Sequence, residues 1–320
     1  MDKEKVAMKR KNFINYILAV LVICLMIFLS EILKEKEIIF PELAALSVGC
    51  LILPGLPWVT DGKRIILYIS ISAIFGVLIV LLMPGPLYLQ MIVAYALSQG
   101  IFLISRTTFA PMISAIVLPV MLQTKSYVYI LAAIGLTSLT VALRWVLVKR
   151  GCKFSLVYVA EDSLNKKNIK LALVRVLFVS ILMLIFVPND LKFMLAPPML
   201  VAFTEFTRKG NKAVKAPVKA VVLISLCAVF GSVFRYLITV LANQPLTLSA
   251  LFVACATFLL MRIMKMFLPP AAAMGVLALL IPGDKILVYP LQVFLGITVL
   301  MLLAKLIDKY CYVFEKNKKY

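Results

Sequence analysis

Cations set close to prolines are the residues of this 320-residue chain best suited to chemistry. Arg106 stands five residues before Pro111, and Lys265 stands five before Pro270. Ala196-Pro197-Pro198 and Leu268-Pro269-Pro270 place paired prolines inside apolar sequence. Proline removes a backbone donor and clashes with the preceding turn. At the first position of a helix it costs little. A helix begun in this way turns unbonded N–H groups and a positive dipole end on its surroundings, which attracts anions. Ala271 to Gly275 would keep the last such helix thin enough for close packing or ligand approach. Pro111, Pro197, Pro198, Pro269 and Pro270 are therefore candidate substrate-binding positions, with Arg106, Arg235 and Lys265 as sources of positive potential. Arg235 falls well inside an apolar run, where a charge is a functional hypothesis by default. Glu205 is the candidate for coupling to a proton or cation, or a partner for Arg208 or Lys209. Structural roles compete at each position: the prolines would only start or kink packed helices, and the cations would snorkel to lipid headgroups.

Other chemistries are poorly served. The chain has no histidine, and hence lacks the commonest general base and zinc ligand. Its six cysteines form no Cys-x-x-Cys pair, and four lie inside apolar runs, where a thiol behaves as a small hydrophobe. No Walker loop, nucleophile elbow or hydrolytic carboxylate pair is present, and there are only 14 acids. The expectation is a protein that is not an enzyme and needs no cofactor or metal.

Hydrophobic residues make up 63% and charged residues 15% of the chain, and the mean hydropathy is +1.06. A soluble domain cannot hide that much apolar surface. Twelve apolar runs can be delimited, at 13–33, 39–57, 65–83, 86–104, 108–122, 126–148, 171–187, 191–206, 217–241, 245–264, 267–282 and 285–307. A full span needs about 20 residues. Runs 108–122, 191–206 and 267–282 are short and carry prolines, so they read as re-entrant, tilted or half-length helices. The first run is long and lacks a small-x-small cleavage site, so it reads as a retained helix.

The net charge is +20, with 34 Lys+Arg against 14 Asp+Glu. The basic residues sit in short loops between apolar runs, which fits membrane orientation better than nucleic-acid binding. With twelve crossings and an inside N-terminus, the outside loops would hold only Lys34, Lys36, Lys125, Lys192 and Lys285. Both termini are then cytoplasmic, in the cell membrane.

The two sets of six runs match in order. Pro41 aligns with Pro197, Phe75-Gly76 with Phe230-Gly231, Lys125 and Tyr129 with Lys285 and Tyr289, and Arg106 with Lys265. Internal repeats are typical of transporters, and an even number of crossings per repeat makes them parallel. The fold class expected is an all-α polytopic membrane protein with about twelve segments in two parallel six-segment repeats. Its organisation would be a cytoplasmic tail 1–12, repeat 13–148, cytoplasmic linker 149–170, repeat 171–307 and cytoplasmic tail 308–320.

Phe267-Leu268-Pro269-Pro270-Ala271-Ala272-Ala273-Met274-Gly275 follows a Met-rich helix. Upstream lie Ala196-Pro197-Pro198, then Ala216-Pro217-Val218-Lys219, then Phe230-Gly231. This order resembles the HPP family of integral membrane proteins, named for a His-Pro-Pro motif. The likeness covers about 191–307, and 40–148 more loosely as a diverged copy. The family's Pro-Pro falls on Pro269 and Pro270; its histidine position is Leu268, and the first copy keeps only Pro111. The family is regarded as one of membrane transport proteins, with plant members associated with nitrite transport in plastids, so the resemblance implies transport of a small anion. The chain is also similar to fusaric-acid-resistance and aromatic-acid exporters in combining apolar hairpins with a basic loop.

Together these features point to a transporter of a small or amphiphilic anion, through a cavity between the repeats. Membrane lipids and the anionic solute are the partners expected, with self-association left open and nucleic acid excluded. Two alternatives stand beside it: a non-transporting scaffold that docks a cytoplasmic partner through basic loops such as Arg208–Lys219, and a protein handling anionic lipids.

Overall fold

Residues 2–154 and 158–309 are described by a computed structural model, with side chains from Phe13 onward. Every regular element among them is helical. The first half runs α1 (Asp2–Leu33), α2 (Glu42–Ser47, continued by a π-helical stretch Val48–Ile52), α3 (Gly62–Leu82), α4 (Leu87–Ile104), α5 (Pro111–Leu122) and α6 (Tyr127–Lys149). The second half runs α7 (Lys166–Phe186), α8 (Pro197–Phe206), the single turn α9 (Lys212–Lys215) and α10 (Pro217–Phe234, continued by a π-helical stretch Arg235–Leu241). It ends with α11 (Leu246–Ile263), α12 (Pro269–Leu277, continued by a 3-10 turn Ala278–Leu280) and α13 (Tyr289–Asp308).

Eight of these helices are long and apolar enough to cross a membrane: α1, α3, α4, α6, α7, α10, α11 and α13. Their outward faces carry exposed Leu21, Phe28, Leu177, Leu184, Leu291 and Leu302, as a lipid-facing surface requires. The chain is a multi-pass helical membrane protein. The N-terminal stretch expected as a tail is helical from Asp2 as part of α1. Of the tail expected over 308–320, residues 310–320 lie outside the described residues.

Runs 108–122, 191–206 and 267–282 form short helices, as their prolines predict. Run 39–57 is the correction. Its length suggests a span, but its helix covers only 42–52. The cause is Leu53-Pro54-Gly55-Leu56-Pro57. A residue before proline is pushed out of the helical region, and Leu53 sits at φ −65°, ψ 144°. Among the described residues the twelve runs thus become eight membrane-length helices and four short ones, one short helix more than the three expected at 108–122, 191–206 and 267–282.

The short helices lie inside the ring of long ones. Every residue of α5 but Leu122 is buried, as is every residue of α2 and α12. α3 packs on α5 and α6, and α10 packs on α12 and α13. Between the halves α5 meets α8, α2 meets α12, α1 meets α11, and α4 meets α7. Three glycines make tight joints against backbone, and a Cβ on Gly296 of α13 would lie 2.2 Å from Met194 O. A Cβ on Gly76 of α3 would lie 2.6 Å from Ile116 O of α5, and one on Gly231 of α10 would lie 2.3 Å from Gly275 O of α12.

Residues 150–154 and 158–165 bind one face of the bundle, here the linker face. Phe154 N–H donates to Pro54 O (3.1 Å), Glu161 N–H to Arg106 O (3.0 Å), and Arg64 stacks on the Tyr158 ring. On the opposite face Gln123 of α5 donates to Gln90 of α4 (2.6 Å), and Lys285 pairs with Asp190. Helices of ten to twelve residues reach about 15–18 Å, half of a ~30 Å hydrocarbon core. α2 and α8 end at the linker face and α5 and α12 at the opposite face. Their N-termini therefore meet near mid-thickness, where the Ser114 hydroxyl of α5 donates to the Glu42 carboxylate of α2.

Two tyrosines hold the short helices to the long ones in the same way. Tyr129 donates to Ala115 O at 2.9 Å, and Tyr289 donates to Met274 O at 2.8 Å. Each ring meets a phenylalanine edge-on, Phe40 and Phe193 respectively. Tyr289→Phe keeps the ring and deletes the bond; a thermal melt in detergent is expected to register a loss of about 1 kcal/mol.

Candidate functional site

The C-terminal end of a helix presents unbonded carbonyls and partial negative charge. At three of the four short helices a cation meets this end. Arg144 of α6 donates to Cys50 O (3.0 Å), while Lys153 Nζ donates to Ile52 O and Leu53 O (both 2.8 Å), closing α2. Burial, reinforced by nearby Arg144, lowers Lys153 to about 8. Arg175 of α7 donates to Thr204 O of α8 (3.1 Å) and to Thr207 Oγ1 (2.7 Å). Arg235 of α10 donates to Ala278 O (2.7 Å) and to Ile281 O, closing α12. α5 uses a neutral donor instead: Gln123 takes a left-handed conformation (φ 57°), and its amide reaches Val120 O at 2.9 Å.

Arg235 is thus anchored on carbonyls at the end of a short helix. It also lines a cavity of about 660 Å³ on the opposite face, with Glu31, Lys34 and Lys36. The candidate prolines occupy the first positions of their helices: Pro111 on α5, Pro197 and Pro198 on α8, Pro269 and Pro270 on α12. All five are buried, and none lines any of the four principal cavities. They frame the centre of the fold without touching open space there.

Arg106 and Lys265 end up in matched conformations but apart from Arg235. Each is exposed just past the end of a long helix, α4 or α11, in the left-handed region at φ 50° and 47°. Glu205 is partly buried and accepts from Trp58 Nε1 at 2.8 Å. That bond joins α8 to the segment that follows α2. Arg208, expected as a partner for Glu205, pairs with Glu161 at 3.2 Å.

One polar surface that opens on solvent is a cavity of about 270 Å³ on the linker face. Lys167, Arg175, Arg208 and Lys209 line it, with Thr107, Ser163 and Asn168 as neutral polar groups and Glu161 as its one acid. Arg175, only 3% exposed, forms its inner wall. From there a polar chain leads into the core between α4, α7 and α8. Arg175 donates to Gln99 Oε1 (3.4 Å), Gln99 donates to Thr204 Oγ1 (3.2 Å), and Thr204 contacts the Tyr95 hydroxyl (3.4 Å). A second linker-face cavity of about 550 Å³ lies by α1 and α11, lined by Arg262, Lys153 and Tyr16.

Arg144 and Arg175 also fall inside apolar runs but are not among the candidates drawn from the sequence. The signal was the one that selected Arg235, a guanidinium within a hydrophobic stretch. Glu42 was missed as well, although it is the one acid in its run. No family model matches this chain, nor does any curated protein or solved structure.

Proposed function

We propose that the chain is a membrane transporter for a small or amphiphilic anion, built from two parallel repeats that rock against each other. One observation carries this reading: a cationic cavity opens on the linker face, and a buried arginine continues it as a polar chain into the seam between the halves. Arg175 supplies charge in a setting of low dielectric, where it counts for more than in water. Thr107, Ser163 and Asn168 offer hydrogen bonds to an oxyanion, and Lys167, Arg208 and Lys209 raise the potential at the mouth.

The repeat is supported by the order long, short, long, long, short, long in each half, and by the paired Gly76 and Gly231, Tyr129 and Tyr289, Phe40 and Phe193. In this scheme the α5–α8 and α2–α12 contacts form the moving seam, and the prolines set where each short helix starts. Arg106 and Lys265 are outlying cations at the membrane surface that draw anions in, and Arg235 contributes its charge from the opposite face. Glu205 stays a coupling candidate at the α8 end. The excess of basic residues on the linker side favours the cell membrane with both termini cytoplasmic. The likeness to HPP proteins fits the same role.

Flux of radiolabelled small inorganic anions and aromatic acids into proteoliposomes, against protein-free vesicles, tests the reading. Saturable uptake of at least one probe is expected. Arg208→Ala is expected to slow low-salt uptake on the order of tenfold, by lowering the potential at the mouth. No saturable uptake across the panel would end the proposal.

A further inference from the structure

Glu42 stands out among the ionisable groups because its surroundings leave it half satisfied. It is 1% exposed, at the first turn of α2, where the short helices meet near mid-membrane. One carboxylate oxygen accepts from the Ser114 hydroxyl of α5. The other, Oε2, is buried without a hydrogen-bond partner. A carboxylate left so in a dry core is costly unless it takes up a proton or a cation. Glu205 differs, because its carboxylate holds the Trp58 indole.

Among the described residues, the elements packed around α2 supply no counter-ion for that oxygen. α5 and α12 contain no ionisable side chain. Tyr129 of α6 is near enough to interact with Glu42, but its hydroxyl is given to Ala115 O. Arg144 and Cys50 sit at the other end of α2 with its last carbonyls. On α1, Glu31 is bound to the amides of Leu246 and Thr247, and Cys24 interacts with Cys255. The cavity on the opposite face reaches Ile39, just before Glu42 in the chain.

We infer that Glu42 is the proton-carrying site of the transport cycle, and that a proton and the anion move together. The inference rests on the anion-transport reading. The carboxylate of Glu42 takes a proton from water on one face, forming an O–H bond at Oε2, and gives it back to water on the other. Ionised, Glu42 occupies the positive field of the converging helix N-termini. Protonated, it releases that field to a substrate anion. Each ligand then favours the other's binding, and linkage makes the coupling reciprocal. The pair crosses with the proton's charge offsetting that of a monovalent anion.

The test uses full-length protein in vesicles containing a pH-sensitive dye, with inward gradients of nitrate or benzenesulfonate. The acids of these anions are too strong to carry protons through the bilayer unaided. Lumenal acidification that needs protein and anion is expected, and is expected to vanish in Glu42→Gln. Counterflow of the labelled anion by the variant is expected to be flat with pH, whatever its rate. Anion flux without acidification in the native protein, or acidification that survives Glu42→Gln, overturns the inference and leaves transport standing. Acidification replaced by a sodium requirement also overturns it. Absence of any anion flux removes the transport reading itself.

Infrared difference spectroscopy gives a readout independent of flux. A carboxylic C=O band that titrates and disappears in Glu42→Gln is expected. Should that variant fail to fold, Ser114→Ala keeps the carboxyl and removes its hydroxyl partner, so the band is expected to change frequency. A band that neither titrates nor moves in Ser114→Ala overturns the assignment.

Discussion

Arg175→Leu is expected to abolish anion-dependent stabilisation of the purified protein and to lower its melting temperature even without anions. The guanidinium makes bonds to Thr204 O, Thr207 Oγ1 and Gln99 Oε1 while 3% exposed. Leucine fills much of the volume but leaves buried acceptors short of a donor. Each such acceptor costs about 1–3 kcal/mol. The end of α8 also loses the cation that offsets its dipole. Arg175→Lys separates the two roles. It keeps the charge but cannot span the same acceptors with a planar fork. Partial recovery of anion binding, with stability still reduced, is the result expected of the lysine variant. Native anion stabilisation in Arg175→Leu would remove Arg175 from the binding site and with it the main support for the linker-face cavity.

Gly231→Ala is expected to be strongly destabilising for a single added methyl, with Gly76→Ala close behind. The added carbon on Gly231 would stand 2.3 Å from Gly275 O and 2.7 Å from Ala278 Cβ, and that on Gly76 2.6 Å from Ile116 O. These neighbours are backbone or the stub of a side chain, so they cannot swing aside. The helices must separate, and overpacking of this kind costs about 1–3 kcal/mol or more. Gly135→Ala in α6 serves as the control, because an added Cβ there meets nothing within 4 Å. A mid-helix glycine costs roughly 0.5–1 kcal/mol relative to alanine, so this variant is expected to be neutral or slightly more stable. Thermal melts of the three variants in one detergent decide the matter. Equal melting temperatures would mean that α10 and α12 do not pack as described.

Much of the fold is legible in the residues taken in order. Apolar runs bounded by charge mark the long helices, because a backbone in lipid must satisfy its own hydrogen bonds. Prolines at 111, 197, 198, 269 and 270 mark where short helices begin, because proline is tolerated there and hardly elsewhere. The correspondence of Gly76 with Gly231 and of Tyr129 with Tyr289 could be noticed as a pattern. Its meaning, a shared way of fixing a short helix to a long one, could not.

The candidate site was harder to read, because a cation's place in a run says nothing of what lies opposite. Arg235 and Arg175 give the same signal, a guanidinium among hydrophobes. Each caps a short helix and borders a cavity, Arg235 on the opposite face beside Glu31, and Arg175 on the linker face, where its bonds run on through Gln99 into the core. Glu42 is one acid near the start of a run, and only the fold brings Ser114 of α5 to it from 72 residues away. Composition and proline spacing alone determined a helical membrane chain with broken segments, since hydropathy and backbone sterics act locally. Which charges cap helices, which line a cavity and which lie half-satisfied at the centre was decided by tertiary packing, because electrostatic energy depends on neighbours in space rather than along the chain.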